Sequence, residues 1–174
     1  SEASFGMAAL NSYYATPSVA DEHGFTLADA PWPHIFDPFR EAVAGKKVAV
    51  IGHFPFAPKA LTQAADFYML ERSLNEGDYP DSAAEYILPE CDYVFITGSA
   101  FVNKTAPRLL ELSRTAFNVI LGPSTPLAPV LLEDYGVSQV IGMVPTDSAG
   151  MFDCLEEGAS LDMFNFGHRV SLGT

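Results

Sequence analysis

Four short polar turns hold the residues in this chain that could do chemistry. Gly52-His53 follows the apolar run Val48-Ala49-Val50-Ile51, and Glu71 stands 71 − 52 = 19 residues beyond that glycine. Thr97-Gly98-Ser99 and Gly122-Pro123-Ser124-Thr125 each close another β-rich run. A glycine turn with an acidic residue about 20 positions later suggests a dinucleotide site, in which the carboxylate takes a ribose hydroxyl. Here the turn reads Gly-His-Phe-Pro-Phe, without the second glycine that lets a pyrophosphate approach, and Pro55 removes an amide donor. The bland alternative for Glu71 is a solvated carboxylate at a strand end. The two hydroxyl turns could supply O–H and N–H donors to a phosphate or carboxylate, with Lys104 or Arg108 adding charge. Helix capping explains the same serines and threonines without a ligand. For a metal, His53 with Glu71 could contribute nitrogen and oxygen ligands. The other three histidines, His23, His34 and His168, fall in a connector or the tail, so no pair has ligand spacing. Ser99 and Ser124 lack a Gly-x-Ser-x-Gly elbow, which leaves no sequence-defined nucleophile.

These turns need a scaffold that brings them to one edge. Strands are expected at Val48 to Ile51, Phe67 to Leu70, Tyr93 to Thr97, Asn118 to Leu121 and Gln139 to Ile141, with Met163 to Leu172 as an added edge strand. Between them lie helical segments at Pro58 to Ala65, Ser82 to Ile87, Thr105 to Ala116, Leu127 to Tyr135 and Asp147 to Glu157, with Thr105 a candidate N-cap and Gly136 a C-cap. The alternation predicts an α/β, three-layer Rossmann-like domain around a mainly parallel sheet of five or six strands. Parallel strands connected by crossovers present all their C-terminal ends at one edge, and the ligand crevice forms where the strand order reverses. Gly52, His53, Glu71, Thr97, Gly98, Ser99, Asn103, Gly122, Ser124 and Thr125 are therefore the candidate ligand-binding residues, beside Gly142 on the same edge. Ahead of the domain, Phe5 to Tyr14 reads as a helix with an apolar side formed by Phe5, Ala9 and Tyr13 next to Leu10 and Tyr14. The stretch from Thr16 to Phe39, interrupted by Pro17, Pro31, Pro33 and Pro38, reads as an irregular connector whose aromatic residues pack over the core or a partner.

Composition narrows the partners. Nine Lys+Arg against 22 Asp+Glu give a formal charge of −13, which repels nucleic acid and anionic membrane surfaces. No apolar run approaches the roughly 18 residues of a membrane span. The opening residues carry no basic region leading into a long apolar one, so a cytoplasmic protein is expected, and Asn103-Lys104-Thr105 is not read as a glycosylation site. The two cysteines, Cys91 and Cys154, are 154 − 91 = 63 residues apart and fit reduced thiols; Cys154 suits a buried apolar position.

Several ordered motifs carry a family resemblance. Gly45-Lys46-Lys47-Val48-Ala49-Val50-Ile51-Gly52-His53-Phe54-Pro55, Leu70-Glu71-Arg72 with Glu76-Gly77-Asp78-Tyr79-Pro80, Leu88-Pro89-Glu90-Cys91-Asp92-Tyr93-Val94, Leu109-Leu110-Glu111-Leu112-Ser113 and Gly122-Pro123-Ser124-Thr125-Pro126-Leu127 resemble the "putative heavy-metal chelation" domain family of prokaryotic proteins. The resemblance runs from about Gly45 to about Gly150. It implies a Rossmann-like C-terminal domain, here 45–174, preceded by an enolase N-terminal-like domain, of which 1–44 would be a remnant because Ser4 to Tyr14 is similar to its end. It further implies a role in metal or metal-cofactor metabolism with a divalent metal ion as the candidate cofactor, and it brings no catalytic residues. A homo-oligomer, or a partner chain that supplies the other half of the N-terminal domain, is expected. The leading expectation is a protein that binds a metal or small anionic metabolite at the strand ends. The alternatives are an enzyme acting on a small anionic or nucleotide-containing substrate with His53 as general acid or base, and a structural subunit without a working site.

Overall fold

The structure is a computed structural model and describes residues 2–28, 30–158 and 162–173; the outermost residues of the two expected units, Ser1 and Thr174, lie outside them. Val48, Ala49 and Val50 are fully buried, as a strand covered on both faces requires, and the same holds for Val94, Phe95 and Ile96 and for Val119, Ile120 and Leu121. These runs are the centre of one sheet. Its strands are β1 (Thr26–Ala28), β2 (Lys47–Ile51), β3 (Asp66–Glu71), β4 (Tyr79–Pro80), β5 (Tyr93–Thr97), β6 (Phe117–Leu121), β7 (Gln139–Pro145) and β8 (Gly167–Gly173), in the spatial order β1-β8-β7-β6-β5-β2-β3-β4. Strands β2 through β7 run parallel, while β8 is antiparallel to both β7 and β1.

The helices are α1 (Glu2–Tyr14), α2 (Pro17–Glu22), α3 (Ala57–Ala60), α4 (Ala84–Ile87), α5 (Ser99–Val102), α6 (Ala106–Leu112), α7 (Val130–Asp134) and α8 (Ser148–Glu156). Two cores cover the sheet. One is aliphatic, built on Leu88, Leu109, Leu110, Ile120 and Leu127. The other is aromatic, with Trp32, Phe36, Phe39 and Phe95 buried and Phe54, Phe56 and Phe164 against them. Phe36 sits 5.2 Å from Phe95 and 5.6 Å from Phe54, ring centre to ring centre, with steep interplanar angles of the edge-to-face kind.

The mainly parallel α/β sheet agrees with the sequence reading, but it has eight strands instead of five or six. The three additional or extended pieces are legible only in three dimensions. Thr26–Ala28 pairs with β8, so part of the expected irregular connector is sheet, and the tail strand is an interior strand covered by β1. The connector's aromatic residues do pack over the core. β4 is just Tyr79–Pro80, at the far edge, where a proline costs no ladder bond on the open side. β7 runs on through Gly142 to Pro145, so Gly142 is inside a strand and not at its end; a Cβ there would lie 2.5 Å from Leu127 Cδ2. Three expected helices shrink, to Ala57–Ala60, Ala106–Leu112 and Val130–Asp134. Thr105 does not cap: its hydroxyl donates to Asn103 Oδ1 at 2.6 Å. Asp147 does, with Oδ1 accepting from the Gly150 amide at 2.9 Å. The side of α1 expected to be apolar is outward, with Phe5 80 % and Tyr13 61 % exposed, and the helix is seated through Met7 and through Asn11 Nδ2, which donates to the Ser124 carbonyl at 3.2 Å.

Candidate functional site

From β2 the chain moves outward through β3 to β4, and from β5 it moves in the other direction through β6 to β7. The order therefore reverses between neighbouring β2 and β5, where open α/β sheets bind ligands above the strand C-termini. A cleft of about 450 Å³ lies there. It brings together Gly52, Glu71, Thr97, Ser99 and Asn103 of the sequence-derived candidates. Gly52 turns at φ +105°, and a Cβ on it would lie 3.0 Å from Thr97 Cγ2, so both backbone conformation and space call for glycine. Glu71 ends β3 beside it, and the Thr97 and Ser99 hydroxyls are 3.1 Å apart.

Charge in the cleft is mostly paired. Arg108 on α6 donates from Nε to Glu85 at 2.9 Å and from Nη1 to Glu111 at 2.7 Å. Those two carboxylates hold the guanidinium in its charged form, Glu85 first and Glu111 second, and Arg108 in turn holds the Glu85 carboxyl below its usual range. Arg72 reaches Asp81 at 3.5 Å. Lys104 is different: among the described residues its ammonium makes no ion pair, and it is the one non-glycine residue among them with positive φ, at 68°. The left-handed conformation costs a lysine about 1 kcal/mol. No sequence signal marks that strain. Arg72 and Asp81 also line the cleft, and only their places after β3 and β4 could have pointed to them.

The other candidates lie elsewhere. Gly98, Gly122 and Thr125 form a packed wall: a Cβ on Gly98 would lie 2.6 Å from the Thr125 amide nitrogen, and Gly122 turns at φ +124°. Thr125 is 1 % exposed, with Oγ1 lacking a hydrogen-bond partner among the described residues. Ser124 presents its carbonyl to α1. His53 belongs to a second, wider groove of about 770 Å³ on the aromatic side of the sheet. Its Nδ1 is 3.2 Å from Asn75 Nδ2 and 3.5 Å from Asp78 Oδ2. Asp78 is held below the usual carboxylate range by the Asn75 backbone amide first, then by the Asn75 side chain and His53. His53 and Glu71 thus line different cavities.

The metal implied by the family resemblance can be tested against the donors. No group of three or more His, Cys, Asp or Glu residues among those described could hold an ion. Cys91 and Cys154 are both buried, and burial pushes the Cys91 thiol up to about 11 and the Cys154 thiol up as well. Such thiols stay protonated near neutrality, whereas a soft metal needs thiolate. The described residues of this chain do not fit a heavy-metal centre built from its own side chains. None of its described helices is long and apolar enough to cross a membrane.

Comparison with known proteins agrees with the topology. A crystal structure of a DUF364-family protein of unknown function from Desulfitobacterium hafniense superimposes with a TM-score of 0.88 at 45% identity, covering 99% of this chain and 68% of that one. A DUF364-family protein of unknown function from Pyrococcus horikoshii shares the fold at 24% identity, with a TM-score of 0.76 over 97% of this chain and 67% of that one. A Methanocaldococcus jannaschii protein described as "Uncharacterized protein MJ0500" is 30% identical over 101 residues, and the aligned part spans 55% of this chain and 39% of that protein. The family model, described as "Putative heavy-metal chelation", matches residues 34–171, and the chain belongs to that family, DUF364.

Proposed function

We propose that this chain is a ligand-binding protein that holds a small anionic metabolite in the cleft between the β2 and β5 turns. One observation carries the reading: the strained Lys104, whose ammonium makes no ion pair among the described residues, stands on the cleft that forms at the reversal of strand order, with Ser99 and Asn103. A residue kept in an unfavourable backbone conformation at a cleft is a functional candidate, since the fold spends stability to keep it there. Lys104 would meet the anionic group, phosphate or carboxylate, with Ser99 and Asn103 as neutral donors. Glu71 would accept hydrogen bonds from hydroxyl groups on the body of the ligand.

Binding is favoured over catalysis by the side chains present. Among the described residues no histidine or cysteine lines this cleft, so no imidazole beside Ser99 would act as its general base. His53, the expected general acid or base, is on the other groove. We place the protein in the cytoplasm, consistent with its acidic charge and reduced thiols. Thermal denaturation with ribose 5-phosphate, AMP, inorganic phosphate and divalent metal ions tests the reading. A ligand at a hundred times its Kd adds about 2.7 kcal/mol of stability. A rise with ribose 5-phosphate or AMP that Lys104→Gly abolishes supports the proposal. No rise with any of the anions removes it, and a rise with metal ions alone replaces it by metal binding.

A further inference from the structure

The second groove contains a charge that no ion pair among the described residues balances. Arg169, on β8, is 7 % exposed, yet the one hydrogen bond its guanidinium makes among the described residues runs from Nη1 to the Pro31 carbonyl at 3.0 Å. A guanidinium carries five N–H donors, and a buried cation without a counter-ion is costly. Burial indeed favours loss of its proton, with Asp37 acting weakly the other way. Asp37 is itself engaged by His34 at 2.7 Å and Arg40 at 2.9 Å. Asp162 also lines the groove, on its exposed rim, and forms no ion pair with Arg169.

A second buried donor lines the same groove. Trp32 is 7 % exposed, and its Nε1–H has no partner among the described residues. The walls are otherwise aromatic and proline-rich: Phe54, Phe56, Phe164, Pro55 and Pro123. Trp32 and Phe164 lie 4.9 Å apart, ring centre to ring centre. Among the described residues the groove therefore combines one buried positive charge, one orphan N–H and a broad apolar surface.

We propose that this groove is a binding site for a small aromatic monocarboxylate, with the carboxylate on Arg169 and the ring against the apolar wall that Trp32 and the phenylalanines form. The planar guanidinium fork matches a carboxylate in bidentate geometry. One charge balances one charge. A phosphate dianion would bring a second negative charge into an apolar groove with no second buried cation among the described residues. This site is separate from the β2/β5 cleft and does not depend on it.

Trp32 is the single tryptophan of the chain, so its fluorescence reports on this groove alone. The probes are benzoate, its neutral isostere benzamide, and inorganic phosphate, each followed by Trp32 fluorescence and by calorimetry. Benzoate is expected to bind at least about tenfold more tightly than benzamide, the difference that one charge-assisted hydrogen-bonded pair makes. Arg169→Met should remove that preference and leave benzamide binding as it was, while Lys104→Gly should leave benzoate binding intact. Replacing an unpaired buried charge by an apolar side chain is not expected to unfold the protein. If Arg169→Met does not fold, the benzoate-to-benzamide ratio in the unaltered protein still decides. Equal affinities, no signal with either, a preference for phosphate, or full benzoate binding by folded Arg169→Met would each overturn the assignment.

Discussion

Substituting Gly98 by alanine tests whether the wall between the two hydroxyl turns is held by space alone. Gly98 has φ −56° and ψ −24°, values any residue adopts, so no conformational penalty attaches to alanine. The added Cβ would instead lie 2.6 Å from the Thr125 nitrogen and 2.7 Å from its Cα. Carbon contacts are comfortable near about 3.5 Å, so the two turns must separate by close to an ångström. Neither is free to move: the Gly98 amide donates to Leu121 at 2.9 Å, and the Thr125 amide donates to Gly122 at 3.1 Å. Overpacking of this kind costs about 1–3 kcal/mol. In a chain of this size each kcal/mol lowers Tm by about 2–4 °C. Urea denaturation followed by circular dichroism should show a lower midpoint at an unchanged slope. Gly6→Ala is the control of opposite sign, because Gly6 lies within α1 with nothing within 4 Å of its Cβ position. It should gain up to about 1 kcal/mol from helix propensity. If Gly98→Ala unfolds within about 0.5 kcal/mol of the parent, where ordinary surface substitutions fall, the turns are not in rigid contact and the argument fails.

Thr125→Val should leave stability unchanged or raise it by about 1 kcal/mol in the same denaturation experiment, since it replaces a buried hydroxyl that has no partner among the described residues by a methyl of similar shape. Lys104→Gly should stabilise the fold by about 1 kcal/mol by removing a left-handed lysine, and calorimetry with AMP should show that it weakens anion binding. The Cys91 thiol has its folded value raised above the ordinary 9.0 to about 11, so its contribution to stability is complete below pH 9 and is lost as pH rises from there to 11. At pH 8 Cys91 should resist a thiol reagent until the protein is unfolded, and rapid labelling of the native protein would contradict its burial. Asp78 works in the opposite direction: its carboxyl is held low by Asn75, so the stability it gives is present above the ordinary carboxylate value and lost as pH falls through the lowered one. Asp78→Asn should flatten that acid limb of the stability profile.

The central strands and the edge that carries the cleft could be read from the chain because their signals are local. Val48 to Ile51 and Tyr93 to Thr97 are β-branched or aromatic runs ending in glycine, and each keeps that role in the fold. Reversal of strand order at β2/β5 then places Gly52, Glu71, Thr97, Ser99 and Asn103 around one space. What local pattern does not record is which face of the sheet a turn serves. His53 immediately follows Gly52 but points its chemistry to the aromatic groove, and Gly98, between Thr97 and Ser99, is consumed in packing against Thr125. β1 and β4 escape notice because strands this short take their identity from a neighbour and not from their own residues. Arg169 reads in sequence as one polar residue in a tail, and its isolation depends on Pro31, 138 positions away.

The position of β8 has a consequence for how the molecule comes into being. β1 precedes the rest of the sheet in sequence, but among the described residues its one neighbour in the sheet is β8, with Thr26 opposite Ser171. While the chain is being synthesised, residues 26–28 have no sheet partner until residues 167–173 have emerged. Until then β7 exposes an open edge, the kind of surface on which one chain pairs with another. Slow synthesis between β7 and β8, or loss of residues 167–173, should therefore favour aggregation more than loss of a similar length from α1. The groove around Trp32 and Arg169 is assembled by that same pairing, so its fluorescence signal would also report when β8 has found its place.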